Sequence, residues 1–282
     1  MHPALRLVRA GNLVVSFVGT VVGGLAARGM GVSEPSRFWI LVVLAAVSTA
    51  LVTAGGNVLN DLLDLEGDRV NHPGRPLVTG AISVAGARTL AIGLFVAGIE
   101  VAIPVVLVEP LVGVLLAVAV AALLGYEFRF KAAGFAGNLL VGALTGMVFL
   151  YGGAAAGNVL LMLPFAAMAF GATLSREVIK DMEDLAGDAG RRTLPMTHGI
   201  PFASGIARGA VAGAIALSFV PLVWFLRASS VAGIMYLALV LAADAIFVLS
   251  VASLPLRLHR EQTLSKVAMT VALIAFLVVA FR

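Results

Sequence analysis

The stretch Asn60-Asp61-Leu62-Leu63-Asp64-Leu65-Glu66-Gly67-Asp68 places four polar side chains at the end of a strongly apolar run. Asn60, Asp64 and Asp68 are spaced four residues apart, and Asp61 lies about 100° round from Asn60, so on one helix all four share a face. Carboxylates that crowd together at the edge of a hydrocarbon-like segment repel one another unless a cation lies between them. The stretch therefore predicts a membrane helix that ends in a cation site.

A second stretch repeats this pattern. The sequence Asp64-Leu65-Glu66-Gly67-Asp68 reappears as Asp184-Leu185-Ala186-Gly187-Asp188, preceded by Asp181, and it also follows an apolar run. Carboxylate oxygens suit Mg²⁺, which typically takes one or two carboxylates together with substrate phosphates. Two clusters therefore predict the two halves of one magnesium site that binds a diphosphate. A solvated acidic loop is the alternative, but the first cluster begins inside an apolar helix, where a charge needs a partner.

The composition indicates a polytopic membrane protein. Of the 282 residues, 61% are hydrophobic and 12% are charged, whereas a soluble domain carries roughly 25% charge. There are no cysteines, which excludes disulfides and thiolate metal sites. The four histidines are scattered, which argues against a zinc or iron site built from histidine. No nucleic-acid partner is expected.

Nine apolar runs are long enough to cross a bilayer core of about 30 Å, which needs roughly 20 helical residues. The runs are continuous rather than alternating, so they predict helices. We therefore predict an all-α polytopic membrane protein, with nine transmembrane helices in a single bundle and one domain over residues 1–282. The predicted spans are 10–27, 38–62, 85–107, 110–127, 134–156, 159–178, 201–226, 230–253 and 264–281.

The positive charges are distributed unequally between the two ends of these spans. If the end that holds the N-terminus is called side A, fifteen of the nineteen lysines and arginines fall on side A. The other four are Arg28, Arg37, Arg227 and Arg282. Because basic loops stay on the cytoplasmic side, side A is predicted to be cytoplasmic. Both acidic clusters fall on side A, so the active-site cavity is expected to face the cytoplasm from the cell membrane.

Further polar residues accompany the clusters on side A. Arg75, Lys131 and Lys180 are candidates for binding diphosphate oxygens, although topology and contact with lipid headgroups are an alternative reason for them. Tyr126 is either an interfacial aromatic residue or a ring that stabilises a cation in the site. Asn12 is expected to be a buried amide with a partner.

Two further acids, Glu100 and Asp244, fall in the middle of spans. They are expected to make interior hydrogen bonds between helices or to contact the acceptor, with the interior role favoured.

The chain resembles the UbiA superfamily of intramembrane prenyltransferases along essentially its whole length. The first family motif, Asn-Asp-x-x-Asp-x-x-x-Asp, is intact at residues 60–68 and is followed by Arg75-Pro76. The second aspartate-rich motif is present at residues 181–188. Other positions that match the family are Arg9, Asn12, Tyr126, Lys131 and Asn138. The sequence departs from the family at Leu62-Leu63 and at Phe130, which leaves the fit of the prenyl chain and acceptor open.

The resemblance implies an enzyme. It implies Mg²⁺-dependent transfer of a polyprenyl group, favoured to be geranylgeranyl, from its diphosphate to a lipid-soluble acceptor. The second motif, with its Glu183-Asp184, looks like the archaeal branch, whose acceptor is geranylgeranylglyceryl phosphate in ether-lipid synthesis. An aromatic acceptor such as 4-hydroxybenzoate is the alternative.

The resemblance also implies roles for the site residues. The expected metal ligands are Asn60, Asp61, Asp64, Asp68, Asp181, Asp184 and Asp188. The expected contacts to the substrates are Asn12, Asn60, Arg75, Lys131, Asn138 and Lys180, and Tyr126 is expected beside the reacting carbon.

Two other classes of membrane protein also place acids at helix ends. Phosphatidyl-alcohol transferases carry Asp-Gly-x-x-Ala-Arg before Gly-x-x-x-Asp-x-x-x-Asp, and no such stretch occurs here. A divalent-cation transporter is the alternative from a different class. Its acids should lie near the midplane, in broken helices, whereas here they cluster on one side.

Overall fold

The computed structural model of the chain describes residues 2–28, 35–131, 133–186 and 193–281. Within these ranges the regular structure is helical and no β-strand occurs. An all-helical bundle is what a chain this apolar requires, because each helix satisfies its own backbone hydrogen bonds in lipid.

Nine helices of the described ranges are long and apolar enough to cross a membrane. Their main helices, in chain order, are α1 (Ala10–Ala27), α2 (Pro35–Leu63), α3 (Val84–Val106), α4 (Pro110–Gly125), α5 (Phe135–Ala155), α6 (Leu163–Glu183), α7 (Ile200–Ser218), α8 (Val231–Ala252) and α9 (Leu258–Val278). The fourth, sixth and seventh spans reach their full length only together with adjoining short elements, as Pro110–Phe130, Val159–Glu183 and Ile200–Trp224. Shorter elements are the helices Pro3–Leu7, Leu65–Asn71, Leu194–His198 and Val220–Trp224, the 3₁₀ turns Val159–Met162, Asp184–Ala186 and Val279–Phe281, and the π-helical turn Tyr126–Phe130. Each predicted span corresponds to one of the nine, so their number is confirmed for the described chain.

Several helix ends differ from the prediction. The sixth helix continues to Glu183 rather than 178, and the ninth begins at Leu258 rather than 264. Both extensions consist mainly of polar residues. The predicted spans were limited to apolar runs, so they missed the polar ends, in which the helical hydrogen bonds continue. The seventh span is interrupted at Phe219, because Pro221 follows and has no N–H to donate to the preceding turn.

Glycines allow the helices to approach closely at specific points. A Cβ atom at Gly152 of α5 would lie 2.0 Å from the backbone oxygen of Thr20 in α1. A Cβ atom at Gly171 of α6 would lie 2.8 Å from the backbone oxygen of Ala210 in α7. Small residues at such contacts are how membrane helices gain packing where no hydrophobic force drives them together.

Four of the helices surround a common space. α1 packs against both α5 and α9, and α6 packs against the same two helices. Away from side A this space is filled by a core cluster that contains Phe149, Phe165 and Phe276. The Phe276 ring centroid lies 5.7 Å from that of Phe149 and 4.9 Å from that of Phe165. We call these three rings the aromatic floor, because they close the space at the end opposite the acidic clusters.

The two acids in the middle of spans have different environments. Asp244 is buried and accepts a hydrogen bond of 2.8 Å from the Ser218 hydroxyl, which agrees with the interior role expected for it. Glu100 is exposed on α3, and the interior role expected for it is wrong. The inner face of α3 is carried instead by residues such as Gly98, which lies about 200° round the helix from Glu100.

The close contact at Gly152 leads to a prediction about stability. Gly152→Ala should lower the free energy of unfolding by about 1–3 kcal/mol, because the new methyl group must displace backbone atoms of α1. Gly205→Ala is the matched control, since Gly205 lies in a helix and its Cβ would meet nothing within 4 Å. Thermal unfolding of both purified proteins in detergent is the measurement. Equal midpoints for the two variants would contradict the packing described here.

Candidate active site

The first acidic stretch is not one continuous helix. α2 ends at Leu63, and a short helix, Leu65–Asn71, begins after Asp64, whose φ is −87° and ψ is 1°. The prediction that Asn60, Asp61, Asp64 and Asp68 share one face of a single helix is therefore wrong in detail. The change of conformation at Asp64 directs the carboxylates toward two different groups of partners.

Two of the carboxylates share one arginine. Arg75 Nη1 donates to Asp61 Oδ1 at 3.0 Å and also to Asp68 Oδ2. Arg9 Nη2 donates to the same Asp61 oxygen at 2.6 Å. Asp61 is only 3% exposed and Asp68 only 5% exposed. Carboxylates this buried need charged hydrogen-bond partners, and the two arginines supply them.

The third carboxylate of the stretch contacts a lysine from another helix. Lys131 Nζ donates to Asp64 Oδ2 at 2.5 Å and to Glu127 Oε2 at 3.3 Å. Lys131 directly follows the π-helical turn, in which its N–H bonds to Tyr126 O at 2.8 Å. The π-helical turn continues α4 at its C-terminal end, and it orders the segment that carries Lys131.

The orientation of the Asn60 amide follows from its partners. Its Nδ2 donates to Glu127 Oε1 at 2.9 Å, and its Oδ1 accepts from Arg9 Nη2 at 2.8 Å. A carboxylate can only accept and a guanidinium can only donate. The amide oxygen of Asn60 therefore faces the side of the site that holds Arg9 and Asp61.

Glu127 and Arg9 are two residues of this network to which the sequence assigned no role. Glu127 is four residues before Lys131, and that spacing is a signal for a helical ion pair that could have identified it. Arg9 has a φ of 55°, in the left-handed region. This conformation costs about 1–2 kcal/mol for a residue other than glycine, and it occurs where the Arg9 side chain reaches the carboxylates.

The second acidic stretch repeats the backbone of the first. Asp184 follows the end of α6 with φ −84° and ψ 0°, almost the conformation of Asp64 after α2. Asp181 Oδ2 accepts a hydrogen bond of 2.7 Å from Asn138 Nδ2 of α5. Asp184 and Lys180 are both exposed. Asp188, the remaining predicted ligand, lies outside the described residues.

Both stretches lie at the same face of the bundle. Four spanning helices, α3 to α6, separate the end of α2 from the end of α6, and an even number returns the chain to the same side. The end of the π-helical turn and the start of α5 contact one stretch each, because Lys131 reaches Asp64 and Asn138 reaches Asp181. Their placement on one side is as predicted, whereas a shared diphosphate remains a prediction.

Asn12 and Tyr126 are less buried than the carboxylates of the first stretch. Asn12 is exposed, so the expectation of a buried amide is wrong. α1 and α5 run parallel, with Gly19 against Val148 and Gly23 against Phe149, and Asn12 therefore lies at about the depth of Asn138. Tyr126 is half-buried at the start of the π-helical turn.

The donor atoms are suited to Mg²⁺. They are carboxylate and amide oxygens, which are hard ligands, with no thiolate among them. Within the described ranges no three acidic or histidine side chains converge on one point. Mg²⁺ requires only one or two carboxylates when phosphate oxygens and waters complete its shell, so Asp61, Asp64 and Asp181 fit as contributors from two sides.

An open apolar hollow of about 350 Å³ lies between α5 and α6, on the side of α5 away from Asn138. It begins at Phe130, next to Lys131. Its lining residues are Phe130, Ala136, Leu139, Leu140, Ala143 and Phe170.

Comparison with known proteins identifies what the chain is similar to. Its sequence matches the UbiA prenyltransferase family over residues 16–277. It is 42% identical over 221 residues to a digeranylgeranylglyceryl phosphate synthase of Methanoculleus marisnigri, covering 77% of this chain and 76% of the relative. It is 38% identical to the synthase of the same name from Haloquadratum walsbyi, covering 98% and 93% of the two chains.

Solved structures share the architecture. A structure described as that of a digeranylgeranylglyceryl phosphate synthase superposes with a TM-score of 0.79 at 28% identity, over 99% of this chain and 97% of the other. A UbiA homologue of Archaeoglobus fulgidus, bound to GPP and Mg²⁺, superposes with a TM-score of 0.64 at 19% identity, over 97% and 99% of the chains. The second likeness concerns the fold alone. None of these relatives is a cation transporter, and that alternative is not supported.

The position of Glu127 leads to a prediction. Glu127→Ala should lower the free energy of unfolding by about 1–3 kcal/mol, because its side chain is 6% exposed and its loss removes an acceptor from both Asn60 and Lys131. Glu66→Ala is the control, since its side chain is 81% exposed and contacts Arg69 at 3.3 Å. Thermal unfolding in detergent measures both. If Glu127 orients Asn60, the effects of Glu127→Ala and Asn60→Ala will be less than additive, and strict additivity would exclude that coupling.

Proposed function

Because the chain belongs to the UbiA prenyltransferase family, we propose that it transfers a geranylgeranyl group from its diphosphate to geranylgeranylglyceryl phosphate in a Mg²⁺-dependent reaction. The observation that carries this proposal is the pair of aspartate-bearing helix ends at one membrane face, one contacted by Lys131 after the π-helical turn and the other by Asn138 of α5. The choice of acceptor is supported by the relatives named digeranylgeranylglyceryl phosphate synthase, one of which aligns with 98% of this chain.

The two acidic stretches form two half-sites in this proposal. Mg²⁺, when bound, neutralises the diphosphate and makes it a better leaving group. Its ligands come from the first stretch and the second. They are Asn60, Asp61, Asp64 and Asp68 on one side and Asp181, Asp184 and Asp188 on the other.

Arg75 and Lys131 complete the diphosphate site. In the structure both cations bond to carboxylates of the first stretch. When the substrate arrives, they exchange part of this contact for diphosphate oxygens, and the carboxylates become free to bind metal. The ion pairs therefore hold the two cations in place before the substrate binds, so that less ordering remains to be done on binding.

The reaction breaks the bond between C1 of the prenyl group and the diphosphate oxygen, and the electron pair leaves with the diphosphate. The hydroxyl oxygen of the acceptor forms the new bond to C1, and its proton passes to the departing diphosphate. Tyr126 and Asn12 line the pocket beside C1, and Asn138 holds Asp181 in position. The low-dielectric interior of the helix bundle keeps water away from a reactive carbocation.

We also propose that the site opens to the cytoplasm and that residues 1–282 act as one unit. The support for the orientation is the excess of lysine and arginine on side A, which is the side of both acidic stretches.

The assignment of the half-sites is tested by one substitution in each. Asp64→Ala and Asp184→Ala should each lower prenyl transfer by about 100-fold or more, the scale of losing one electrostatic contact to the transition state. Glu66→Ala, an exposed carboxylate in the same segment, should retain wild-type activity. The measurement is product formation by the purified, folded proteins with geranylgeranyl diphosphate. Full activity of either aspartate variant, or undiminished turnover after chelation of Mg²⁺, would refute the assignment.

The acceptor is decided in the same assay by offering geranylgeranylglyceryl phosphate or 4-hydroxybenzoate and identifying products by mass. Transfer to the glyceryl phosphate lipid is expected. Transfer to the aromatic compound alone would replace this proposal by the aromatic-acceptor alternative.

The orientation is tested by cysteine labelling, since the chain contains no cysteine. Val70 on side A and Leu107 on the other side are 82% and 80% exposed. In intact cells a membrane-impermeant maleimide should label Leu107→Cys and should label Val70→Cys only after the membrane is permeabilised. The reverse pattern would place the active site outside the cytoplasm.

A further inference from the structure

We propose that Lys180 and Arg176 of α6 bind the phosphate group of the acceptor, apart from the site of the diphosphate. This inference rests on the proposed function and names the subsite by which the enzyme recognises a phosphorylated acceptor. Lys180 was expected from the sequence to contact the diphosphate, and its position in the structure favours a different partner.

Contacts with three neighbouring helices show which face of α6 each residue lies on. Asp181 bonds to Asn138 of α5. Met182 accepts a 3.5 Å hydrogen bond from Ser204 of α7. Glu183 Oε2 accepts one hydrogen bond of 3.0 Å from Gln262 of α9, and its Oε1 lies 3.0 Å from Nδ1 of His259, also of α9. Successive helix residues are about 100° apart, so α5, α7 and α9 lie at three directions around α6.

The sector of α6 between α5 and α9 is polar. Lys180 lies about 100° from Asp181 on the side away from Met182, and Arg176 lies about 40° further toward α9. Helical spacing places three other polar residues in the same sector, namely Thr173, Glu177 and Asp184. The hydroxyl of Thr173 is buried and has no hydrogen-bond partner in the described chain.

This polar sector faces the inside of the protein rather than the lipid. α1 packs against both α5 and α9, so it closes the space in front of the sector. The aromatic floor closes the same space at the end away from side A. A cation in lipid is costly, whereas a cation in an enclosed, polar space at a helix end is available for an anionic ligand.

The two cations of this sector are less fully paired than the cations that bond to the first acidic stretch. Arg9, Arg75 and Lys131 each bond to carboxylates there. Lys180 is exposed and has no ion pair within the described residues. Arg176 Nη2 donates to Glu177 Oε1 at 2.7 Å, but a guanidinium carries five N–H donors. Both cations therefore retain donors for a ligand.

A phosphate monoester is the anion that suits this pair. It carries a charge of about −1.5 to −2 at neutral pH and three acceptor oxygens. The relatives are named for a product that keeps its glyceryl phosphate, so the acceptor phosphate binds without reacting. Because Lys180 directly precedes Asp181 of the second half-site, holding this phosphate brings the acceptor hydroxyl close to the prenyl diphosphate. Binding through a non-reacting group is how an enzyme orients the group that reacts.

The test compares acceptors with and without the phosphate. The full-length enzyme is assayed with Mg²⁺, geranylgeranyl diphosphate and either geranylgeranylglyceryl phosphate or the phosphate-free geranylgeranylglycerol. Lys180→Met should raise KM for the phosphorylated acceptor by about 10-fold to 100-fold, the scale of one charged hydrogen bond. The same substitution should leave KM for geranylgeranyl diphosphate and turnover of the phosphate-free acceptor unchanged. Lys180→Arg should restore the preference for the phosphorylated acceptor.

Arg88→Met is the matched control, because Arg88 is exposed on α3, outside the four helices that surround the space. It should leave the preference unchanged. A rise of KM for geranylgeranyl diphosphate in Lys180→Met, or an equal loss with both acceptors, would return Lys180 to the diphosphate site and overturn the inference alone. A wild-type enzyme that transfers to 4-hydroxybenzoate but to neither glycerol lipid would overturn the proposed function and the inference with it.

Discussion

The pairing of buried carboxylates with cations at the ends of membrane helices is the constraint on which the rest of this structure depends. Asp61 and Asp68 are almost fully buried, and an unpaired carboxylate in such a place is very costly. Arg75 bonds to both, and Arg9 bonds to Asp61 as well. These contacts join the N-terminal segment, the end of α2 and the loop after it. The ion pairs of the site therefore also hold these three segments together on side A.

The same backbone conformation occurs at the ends of two long helices. Asp64 and Asp184 each follow a long helix with nearly the same φ and ψ, which is the structural counterpart of the repeated sequence. The segment from Glu127 to Asn138 lies between the two stretches and contacts one through Lys131 and the other through Asn138. Two similar helix ends joined by one segment are a suitable arrangement for a ligand with two phosphates.

The packing of α1, α5, α6 and α9 separates two environments. Near side A the sector of α6 that faces their common space carries charges, and at the other end the aromatic floor fills that space with Phe149, Phe165 and Phe276. A reaction that places a cation on a hydrocarbon chain requires both environments. Charged groups stabilise the leaving diphosphate, and apolar walls limit the access of water to the carbon.

The sequence by itself determined the membrane class, the number of spans and the placement of both acidic stretches at one face of the bundle, because these follow from apolar run length and from counting helices. The spacing of Asn60, Asp61, Asp64 and Asp68 identified them as one motif, and the resemblance to a family added Lys131 and Asn138. Only the tertiary structure decided their partners. The break at Asp64, the link from Glu127 to Asn60, the exposure of Glu100 and Asn12 and the position of Lys180 between α5 and α9 depend on how helices distant in sequence rotate against one another. Local periodicity places a residue on a face of its own helix, but the neighbour that the face meets is determined by packing of the whole bundle.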